Sequence, residues 1–423
     1  MNVLIIGSGG REHALAHSIS KSPLLDQLVV SPGNPGIAEI ARCVDCPDEP
    51  ALFSLIEDAC IDLVVIGPEA PLVDGLADRL RTKDILVFGP SQQAAMLEGS
   101  KAFARDFCDR HHIPQPEWHR FDNSADACAY IRGHAANGHV IKADGLAAGK
   151  GVVVADTKDE AIAAITSMLD DQQFGHASTS ILIEERITGV EASLFAIADG
   201  DDAMMIGTAQ DYKRIGDGDT GPNTGGMGAV SPAPALDADL YDIAWQNIVE
   251  KVIKGMKADD MPYQGFLYTG LMMTAKGPKV IEFNCRFGDP EAEVILPRLQ
   301  SDLLTALLAA CSSGSDTSSF KDMELQFHDG AAVTVIMANG GYPGAIQAGG
   351  VINGLKHDNA DTNAALVFHA GTGKKGDDII ATGGRVLAVT ALGSDQADAR
   401  NKAYQHVKKI SWPGVYYRKD IAK

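Results

Sequence analysis

The sequence predicts a multidomain protein that combines an α/β part with α+β parts. Its 423 residues are too many for one ordinary hydrophobic core, so two to four domains are expected. Within residues 1–100, short apolar segments alternate with helical patterns, which is typical of a doubly wound parallel sheet. Beyond residue 130, β-rich stretches separated by single helices predict α+β units.

The N-terminal part is expected to contain four short strands, each followed closely by Gly or Pro. Sheets of this kind bind their ligands at the carboxyl ends of the strands. The strands are predicted at residues 3–6, 28–30, 63–66 and 86–88, and helices, among others, at residues 51–59 and 73–81.

The remaining chain predicts a long middle region and a separate C-terminal unit. Residues 312–319 are polar and rich in Ser, which is typical of a boundary between two units. Strands of the middle region are predicted at residues 139–142, 151–155, 180–184, 195–198, 203–209, 265–274 and 279–287, with helices at 159–169, 240–256 and 302–311. Strands of the C-terminal unit are predicted at residues 332–338, 366–370 and 386–391, with a helix at 394–409.

Charge and cysteine content narrow the class of protein. The net charge of −20 argues against a broad surface for nucleic acid or anionic membranes. The seven cysteines are scattered and odd in number, so free thiols in a reducing compartment are expected. The chain enters a strand directly after Met1 without a basic segment, and no apolar run approaches membrane-spanning length. We therefore expect a cytoplasmic protein.

Residues 281–287 carry the most informative polar pattern. If they form a strand, Glu282, Asn284 and Arg286 share one face, because successive side chains alternate between faces. A carboxylate, an amide oxygen and a guanidinium in one row suit an oxygen-coordinated Mg²⁺ beside a phosphate. The same alternation is also typical of the solvent face of a half-buried strand.

A glycine-rich turn containing Gly7, Gly9 and Gly10 lies between the first strand and the first helix. Backbone amides at a helix N-terminus can hold a phosphate, and Arg11 is adjacent. The motif is similar to a dinucleotide fingerprint, but Glu12 occupies the third glycine position. A simple strand-to-helix turn is the alternative.

A second glycine-rich segment runs from Lys142 to Gly151, between two predicted strands. Its spacing is wrong for a Walker A loop, since Gly151 stands where Ser or Thr would bind Mg²⁺. A glycine hairpin flanked by Lys142 and Lys150 favours a flap that closes over nucleotide phosphates. An ordinary hairpin is the alternative.

Residues 211–228 form a long, polar, glycine-rich segment with no predicted strand or helix. Loops of this length are usually functional or disordered. We expect an active-site loop that contributes Asp211, Lys213 and Arg214, with a mobile linker as the alternative.

Together, these motifs resemble the ATP-grasp superfamily and, within it, the phosphoribosylamine–glycine ligase (glycinamide ribonucleotide synthetase) family. The resemblance runs in order along essentially the whole chain. Besides the segments above, it includes residues 9–14, 32–34, 67–72, 97–101, 184–185, 340–344, 368–371 and 383–386. It implies an N-terminal α/β domain at residues 1–102, an ATP-grasp domain at 103–318 with a flexible lid at about 120–190, and a small C-terminal α+β domain at 325–423.

The resemblance implies a ligation reaction of de novo purine biosynthesis. Glycine would attack the γ-phosphate of ATP to give glycyl phosphate, and the amine of 5-phosphoribosylamine would then displace phosphate to give glycinamide ribonucleotide. The implied cofactors are ATP and Mg²⁺ or Mn²⁺, the partners are small molecules, and a monomer is expected. Phosphoryl transfer requires alignment and charge neutralisation, so cations and metal should dominate the site.

The resemblance also implies roles for individual residues. The ATP-binding residues would be Lys101, Lys142, Gly149, Lys150, Gly151, Glu184, Glu185, Ile187 and Glu191, and the metal ligands Glu282 and Asn284. The catalytic groups would be Arg286, Asp211, Lys213 and Asp289. The substrate-binding residues would be Gly10, Arg11, Glu12, Asn34 and Glu69 around phosphoribosylamine, together with Arg214.

Two positions depart from the family pattern. Residues 264–275 contain no acid that could serve a second metal, and Tyr212 stands where His is expected beside the Asp. Three rival interpretations are another ATP-grasp ligase or carboxylase, a nicotinamide-dependent oxidoreductase and a non-catalytic nucleotide-binding regulator. The N-terminal motifs and residues 211–228 argue against the first of them.

Overall fold

Five parallel strands form the N-terminal sheet of the computed structural model, which describes residues 1–134, 138–147, 151–312, 320–355 and 365–423. The strands are β1 (Asn2–Gly7), β2 (Gln27–Pro32), β3 (Arg42–Cys43), β4 (Leu63–Ile66) and β5 (Leu86–Phe88), and the helices are α1 (Gly10–Ile19), α2 (Glu49–Asp58), α3 (Glu69–Val73), α4 (Leu76–Arg81) and α5 (Gln92–Gly99). The strand order is β3-β2-β1-β4-β5. Every residue of β4 is buried, because helices cover both faces of the sheet. The prediction of a doubly wound parallel sheet is confirmed.

One helix predicted in this part is two helices in the structure. Residues 73–81 divide between α3 and α4, and Gly75 lies between them with φ of 81°. Glycine adopts this left-handed conformation without steric penalty, so the chain turns there instead of continuing the helix.

A small antiparallel sheet, here called the lid sheet, has its own hydrophobic core. Its elements and the helix that precedes them are α6 (Lys101–Arg110), β6 (Trp118–Phe121), α7 (Ser124–Gly133), β7 (His139–Ala143), β8 (Val152–Ala155), α8 (Lys158–Ile165) and β9 (Ile181–Glu185). The strand order is β6-β9-β7-β8. Ile141 and Ile183 pack on α7 and α8 residues such as Ile131 and Ile165. β7 and β8 are the two strands of the predicted glycine hairpin, of which residues 148–150 lie outside the described part.

An eight-stranded sheet, here called the central sheet, spans the rest of the molecule. The elements of residues 190–311 are β10 (Val190–Asp199), β11 (Ala203–Asp211), β12 (Arg214–Gly216), β13 (Thr220–Asn223), β14 (Gly228–Ser231), α9 (Ala238–Ala244), α10 (Glu250–Ala258), β15 (Gln264–Thr274), β16 (Gly277–Asn284), α11 (Ala292–Ile295) and α12 (Leu303–Cys311), of which β12 and β13 form a separate hairpin. The C-terminal elements are β17 (Ala331–Ala338), β18 (Leu366–His369), β19 (Thr372–Lys375), β20 (Asp378–Ala381), β21 (Arg385–Gly393) and α13 (Gln396–Val407).

The strand order of the central sheet is β16-β15-β10-β11-β14-β17-β21-β18. The C-terminal residues were expected to form a separate unit, and they do have their own hydrophobic cluster around Val335, Val389 and Val407. Their strands nevertheless continue the central sheet, since β14 pairs with β17 from Gly228↔Val335 to Ser231↔Ala332. The reason is that β14 offers a free edge after pairing with β11.

Two local predictions near the candidate site are corrected. The strand expected over residues 279–287 ends at Asn284, because the amide of Cys285 donates to Glu98 Oε2 at 2.7 Å instead of to a strand. Arg286 therefore does not belong to the alternating face. Residues 211–228 are not devoid of regular structure, since β12 and β13 form a hairpin within them.

The N-terminal sheet packs firmly on the central sheet. Leu4 and Val64 belong to the same buried hydrophobic cluster as Leu194 and Leu267. This packing brings the carboxyl ends of β1 and β4 towards the end of β16. Within the described ranges, no helix combines the length and the apolar character that crossing a bilayer requires.

Candidate active site

A cleft of about 430 Å³ opens where the N-terminal sheet, the lid sheet and the central sheet meet. Most of the residues singled out by the sequence lie on its walls. They are Arg11, Glu69, Lys101, Lys142, Gly151, Glu184, Glu191, Asp211, Lys213, Glu282, Asn284, Arg286 and Asp289.

A buried ion network closes the lid side of the cleft. The Arg105 guanidinium donates to both carboxylate oxygens of Glu184, at 2.8 and 3.0 Å, and Lys142 Nζ lies 2.8 Å from the same carboxylate. Burial would raise the pKa of Glu184, but the charges of Lys142 and Arg105 outweigh it and lower the pKa to about 2. The Glu184 carboxylate is therefore charged and is held in place by two cations.

Two lysines reach the cleft from different elements. Lys101 begins α6 and donates through Nζ to the carbonyl of Gly145 at 2.9 Å. Lys142 lies on β7 and donates to the carbonyl of Ile281 at 2.9 Å. Burial is the largest cause that lowers the pKa of each lysine, and for Lys101 the charge of Lys142 adds to it. Of the other flap residues, Gly151 lines the cleft, and Gly149 and Lys150 lie outside the described residues.

Lys213 connects the opposite wall with the predicted metal ligand. Its Nζ lies 2.8 Å from Glu191 Oε2 and 3.7 Å from Glu282 Oε1. Burial opposes the charged form, but Asp211 and Glu191 outweigh it and raise the pKa of Lys213. For Asp211, burial is the largest cause and raises the pKa to about 6, although Lys213 acts in the opposite direction.

The end of β16 supplies two oxygen ligands that fit a divalent cation. Burial would raise the pKa of Glu282, but neighbouring cations, above all Lys213, lower it, so the carboxylate is ionised. In the amide orientation that satisfies its neighbours, Asn284 donates through nitrogen to Glu98 Oε1 at 2.9 Å, which leaves its oxygen for the cleft.

Among the residues that the structure describes, no three His, Cys, Asp or Glu side chains converge to hold a metal by themselves. A site with one carboxylate and one amide oxygen fits Mg²⁺ that completes its shell with phosphates and water.

Arg286 follows β16 and joins the metal side of the cleft to the N-terminal sheet. Its guanidinium lies 3.0 Å from Glu98 Oε1 and 3.2 Å from Glu69 Oε2. Burial would lower the pKa of Arg286, but these two carboxylates raise it. Arg286 is therefore a permanent cation, held by α5 and α3.

The glycine-rich turn after β1 is organised around the Glu12 side chain. Its carboxylate accepts from the Gly9 amide and from Arg11 Nε, each at 2.6 Å. A Cβ atom at Gly7 or Gly67 would collide with this side chain, and Gly7 also has φ of 129°. The glycines are thus required by close packing of Glu12, and only Arg11 of this turn lines the cleft.

Several predicted residues lie near the cleft but not on its walls. Asn34 uses its whole amide within the protein, donating to the carbonyls of Ser8 and His369 and accepting from Gly36 and Ile37. Arg214 donates to the carbonyl of Gly221 at 2.7 Å inside the hairpin. The other predicted residues that do not line the described cleft are Gly10, Glu12, Glu185 and Ile187.

Sequence reasoning missed four charged residues that line the cleft. Arg105, Glu98 and Glu291 are almost completely buried, and Arg385 reaches in from the C-terminal elements. Arg385 pairs with Asp289 at 2.8 Å and donates to its carbonyl at the same distance. Arg105 lies on an amphipathic helix, where a charged residue at an inward position is the only signal. Glu98 and Arg385 lie within segments that carry the family resemblance, but no role was assigned to them.

The site can now be compared with known proteins. The chain matches the family model of phosphoribosylglycinamide synthetase in three parts: the N domain at residues 1–98, the ATP-grasp (A) domain at 99–292 and the C domain at 332–423. It is 49% identical over 423 residues to the phosphoribosylamine–glycine ligase of Agrobacterium fabrum, covering 100% of this chain and 98% of the relative. The corresponding protein of Escherichia coli is 48% identical over 428 residues, with 100% and 98% covered.

Solved structures support the same relation. The crystal structure of phosphoribosylamine–glycine ligase from Thermotoga maritima superposes with a TM-score of 0.86 at 32% identity, covering 100% of both chains. A biotin carboxylase from Campylobacter jejuni, solved with a β,γ-ATP complex, has a TM-score of 0.73 at 14% identity, covering 98% of this chain and 92% of that one. The second likeness concerns the fold alone. With its fold, its cleft and its relatives in agreement, the chain belongs to the phosphoribosylglycinamide synthetase family of ATP-grasp ligases.

Proposed function

We propose that the chain ligates glycine to 5-phosphoribosylamine with ATP, forming glycinamide ribonucleotide, ADP and phosphate. The observation that carries the proposal is the convergence of Lys101, Lys142, Lys213 and Arg286 around Glu282 in one cleft. A carboxylate becomes an acyl donor only when one oxygen leaves as phosphate, so the site must neutralise phosphoryl charge. Four cationic side chains in one cleft neutralise this charge better than a single general base would.

The two halves of the reaction balance as phosphoryl and acyl transfers. A glycine carboxylate oxygen bonds to the γ-phosphorus while the bond to the β-phosphate oxygen breaks, giving glycyl phosphate and ADP. The phosphoribosylamine nitrogen then bonds to the glycyl carbonyl carbon, phosphate leaves with the former carboxylate oxygen, and the nitrogen loses a proton. We assign Arg286 to the acyl phosphate, and Asp211, Lys213 and Asp289 to the substrates.

The nucleotide is assigned to the side of the cleft beneath the lid sheet. Lys101 and Lys142 bind its phosphates, and Lys150 with Gly149 and Gly151 covers them. Glu184, Glu185 and Ile187 hold adenine at the end of β9, and Glu191 binds the ribose hydroxyls. The Arg105–Glu184 pair supports this assignment because it fixes the floor on which adenine would lie.

The divalent metal, Mg²⁺ or Mn²⁺, is assigned to Glu282 and Asn284. When bound, such an ion polarises the γ-phosphoryl group and neutralises its charge. The hydrogen bond from Asn284 nitrogen to Glu98 supports this role, because it orients the amide oxygen towards the cleft.

The phosphoribosylamine pocket is assigned to the carboxyl ends of β1 and β4. Arg11 and Glu69 contact the substrate directly, whereas Gly10, Glu12 and Asn34 shape the turn that carries them. Arg214 acts through the hairpin rather than by touching substrate. We also propose a cytoplasmic monomer with domains at residues 1–102, 103–318 and 325–423, the lid covering about 120–190.

An ADP-release assay across acceptor amines tests the proposal. ADP should form only when glycine and phosphoribosylamine are both present, with glycinamide ribonucleotide in equal amount. Equal ADP release with another carboxylate or amine would favour a different ATP-grasp ligase. Binding of NAD(H) in place of ATP would contradict the proposal altogether.

A further inference from the structure

The C-terminal segment of the chain is bound to the hairpin that follows Lys213. The amide of Lys419 donates to Asp217 Oδ1 at 2.7 Å, and the amide of Gly218 donates to Asp420 Oδ2 at 2.7 Å. Tyr416 donates through its hydroxyl to the carbonyl of Ile215 at 2.8 Å. These contacts join residues about 200 positions apart in sequence.

Arg418 is the centre of this contact. Its side chain is 2% exposed and donates to the carbonyl of Arg214 at 3.0 Å and to Asp219 at 3.3 Å. Asp420 holds the guanidinium in place through two bonds of 2.8 and 2.9 Å. The hydrogen bond from Arg418 is the first cause that lowers the pKa of Asp420, so the pair is ionised. Two such hydrogen bonds between a buried guanidinium and a carboxylate hold both groups in a single relative orientation.

Tyr212, the residue before Lys213, contacts the same guanidinium through its ring. The Arg418 guanidinium lies 5.4 Å from the centre of the Tyr212 ring, which directs this side chain away from the cleft and towards the C-terminal cluster. Because its side chain points away from the cleft, Tyr212 is not placed to transfer a proton there, although it is next to Asp211 in sequence. Its large ring provides a surface on which the C-terminal segment rests.

The hairpin transmits this anchoring to Lys213. The Lys213 carbonyl accepts from the Thr224 amide and from its hydroxyl, both at 2.7 Å, and the Met227 amide donates to the Tyr212 carbonyl at 2.8 Å. Lys213 is thus held between two anchored segments while its Nζ reaches Glu191.

We propose that the C-terminal segment 416–421 is a positioning element of the active site, in which Arg418 and Asp420 hold the β12–β13 hairpin and keep Lys213 in the cleft. The proposal rests on the role proposed above for Lys213. None of residues 416–421 lines the cleft, so their effect is exerted through the hairpin.

A double-mutant cycle with Arg418→Ala and Lys213→Ala tests it. Arg418→Ala should lower kcat/KM for glycine by about 10²-fold, since a displacement of about 1 Å at a reacting group has this effect. The KM for ATP should change by less than about tenfold, because Lys101 and Lys142 stay in place and only the contact of Lys213 with Glu191 is disturbed. Arg418→Ala added to Lys213→Ala should cause little further loss, since both variants remove the same function.

Trp412→Phe is the matched control for loss of stability. It removes a buried hydrogen bond to Asn339 in the same region without touching the hairpin. Its melting temperature should fall while kcat/KM for glycine stays within about twofold of the parent protein. If Arg418→Ala does not fold, Asp420→Asn replaces it, with a smaller expected loss of about tenfold.

The possible results distinguish failure of the positioning proposal from failure of the proposed role of Lys213. A folded Arg418→Ala or Asp420→Asn protein with parental kcat/KM, beside an impaired Lys213→Ala, overturns the positioning proposal alone. Losses of kcat/KM that multiply in the double variant would also overturn the positioning proposal alone. A fully active Lys213→Ala protein instead overturns the proposed role of Lys213.

Discussion

Neighbouring charges and burial set the protonation of each acidic side chain in the cleft. Glu184 lies between two cations and has a pKa of about 2. Glu291 lies deeper, where burial and the charge of Asp211 raise its pKa to about 8. Opposed pKa shifts among nearby carboxyl groups are typical of catalytic sites, where each group needs its own protonation state.

Glu282→Gln should lose turnover by on the order of 10²-fold while remaining folded. The amide keeps the size of the side chain but removes the charge that would bind the metal and that pairs with Lys213. ADP release and thermal melting measure the two properties. Glu250→Gln is the control, because this side chain lies on α10 outside the cleft and is 39% exposed. Unchanged turnover in Glu282→Gln would contradict the metal assignment.

Asp211 should give the acidic limb of the pH profile. Its pKa is raised to about 6, so its carboxylate takes up a proton as the pH falls through that value. If the ionised form binds the glycine ammonium group, kcat/KM for glycine falls below about pH 6. Asp211→Asn should have a lower kcat/KM and should lack this limb. Persistence of the same limb in the variant would assign it to another group.

Glu293→Gln should stabilise the protein, and more so at higher pH. Glu293 is 1% exposed, neither carboxyl oxygen has a hydrogen-bond partner among the described residues, and burial raises its pKa well above the usual value. A raised pKa in the folded state means that stability is complete at low pH and declines as the pH rises through that pKa. Unfolding curves of both proteins at pH 5 and pH 8 measure this effect. The free energy of unfolding of Glu293→Gln should exceed that of the parent protein by about 1–3 kcal/mol more at pH 8 than at pH 5. An equal difference at both values would contradict this account.

Helices and strands are joined around the cleft by charged side chains that cross between elements. Arg105 of α6 contacts Glu184 of β9 and donates to the carbonyls of Val280 and Ile281 on β16, at 3.2 and 2.7 Å. One side chain therefore connects a helix, the lid sheet and the central sheet. This arrangement fixes the lid base relative to the metal ligands.

Arg105→Ala should lower the free energy of unfolding by about 3–5 kcal/mol, because it leaves a buried carboxylate with only one cation. Arg79→Ala is the matched control: its guanidinium pairs with Glu49 and Asp74 but is 40% exposed, so the loss should be about 0–1 kcal/mol. Urea unfolding measures both. Similar losses of unfolding free energy in the two variants would show that burial of the ion network does not contribute to stability.

Sequence patterns were a better guide to elements than to their ends and contacts. The strands at residues 63–66 and 86–88 have the predicted bounds, because a glycine directly follows each apolar run. The end of β16 was missed, since its cause is Glu98, almost 190 positions away. Arg105 and Arg385 were missed for the same reason, as a single sequence does not show which distant carboxylates surround a cation.

At the scale of the whole molecule, the N-terminal, lid and central sheets meet around the candidate active site. The expectation of an ATP-grasp ligase is confirmed by the family match and by relatives that span the chain. The predicted C-terminal unit matches a C domain of its own at residues 332–423, and its strands β17, β21 and β18 also extend the central sheet. The assigned roles of individual residues stay predictions, and most of those residues do meet in space.

Ligation with glycine labelled by ¹⁸O in its carboxylate tests the central claim most directly. If glycyl phosphate forms, the carboxylate oxygen that attacks the γ-phosphate leaves with it. Mass spectrometry should then find one ¹⁸O atom in each inorganic phosphate, in equal amount to ADP and to glycinamide ribonucleotide. Phosphate without ¹⁸O would contradict acyl-phosphate chemistry and with it the account of this cleft.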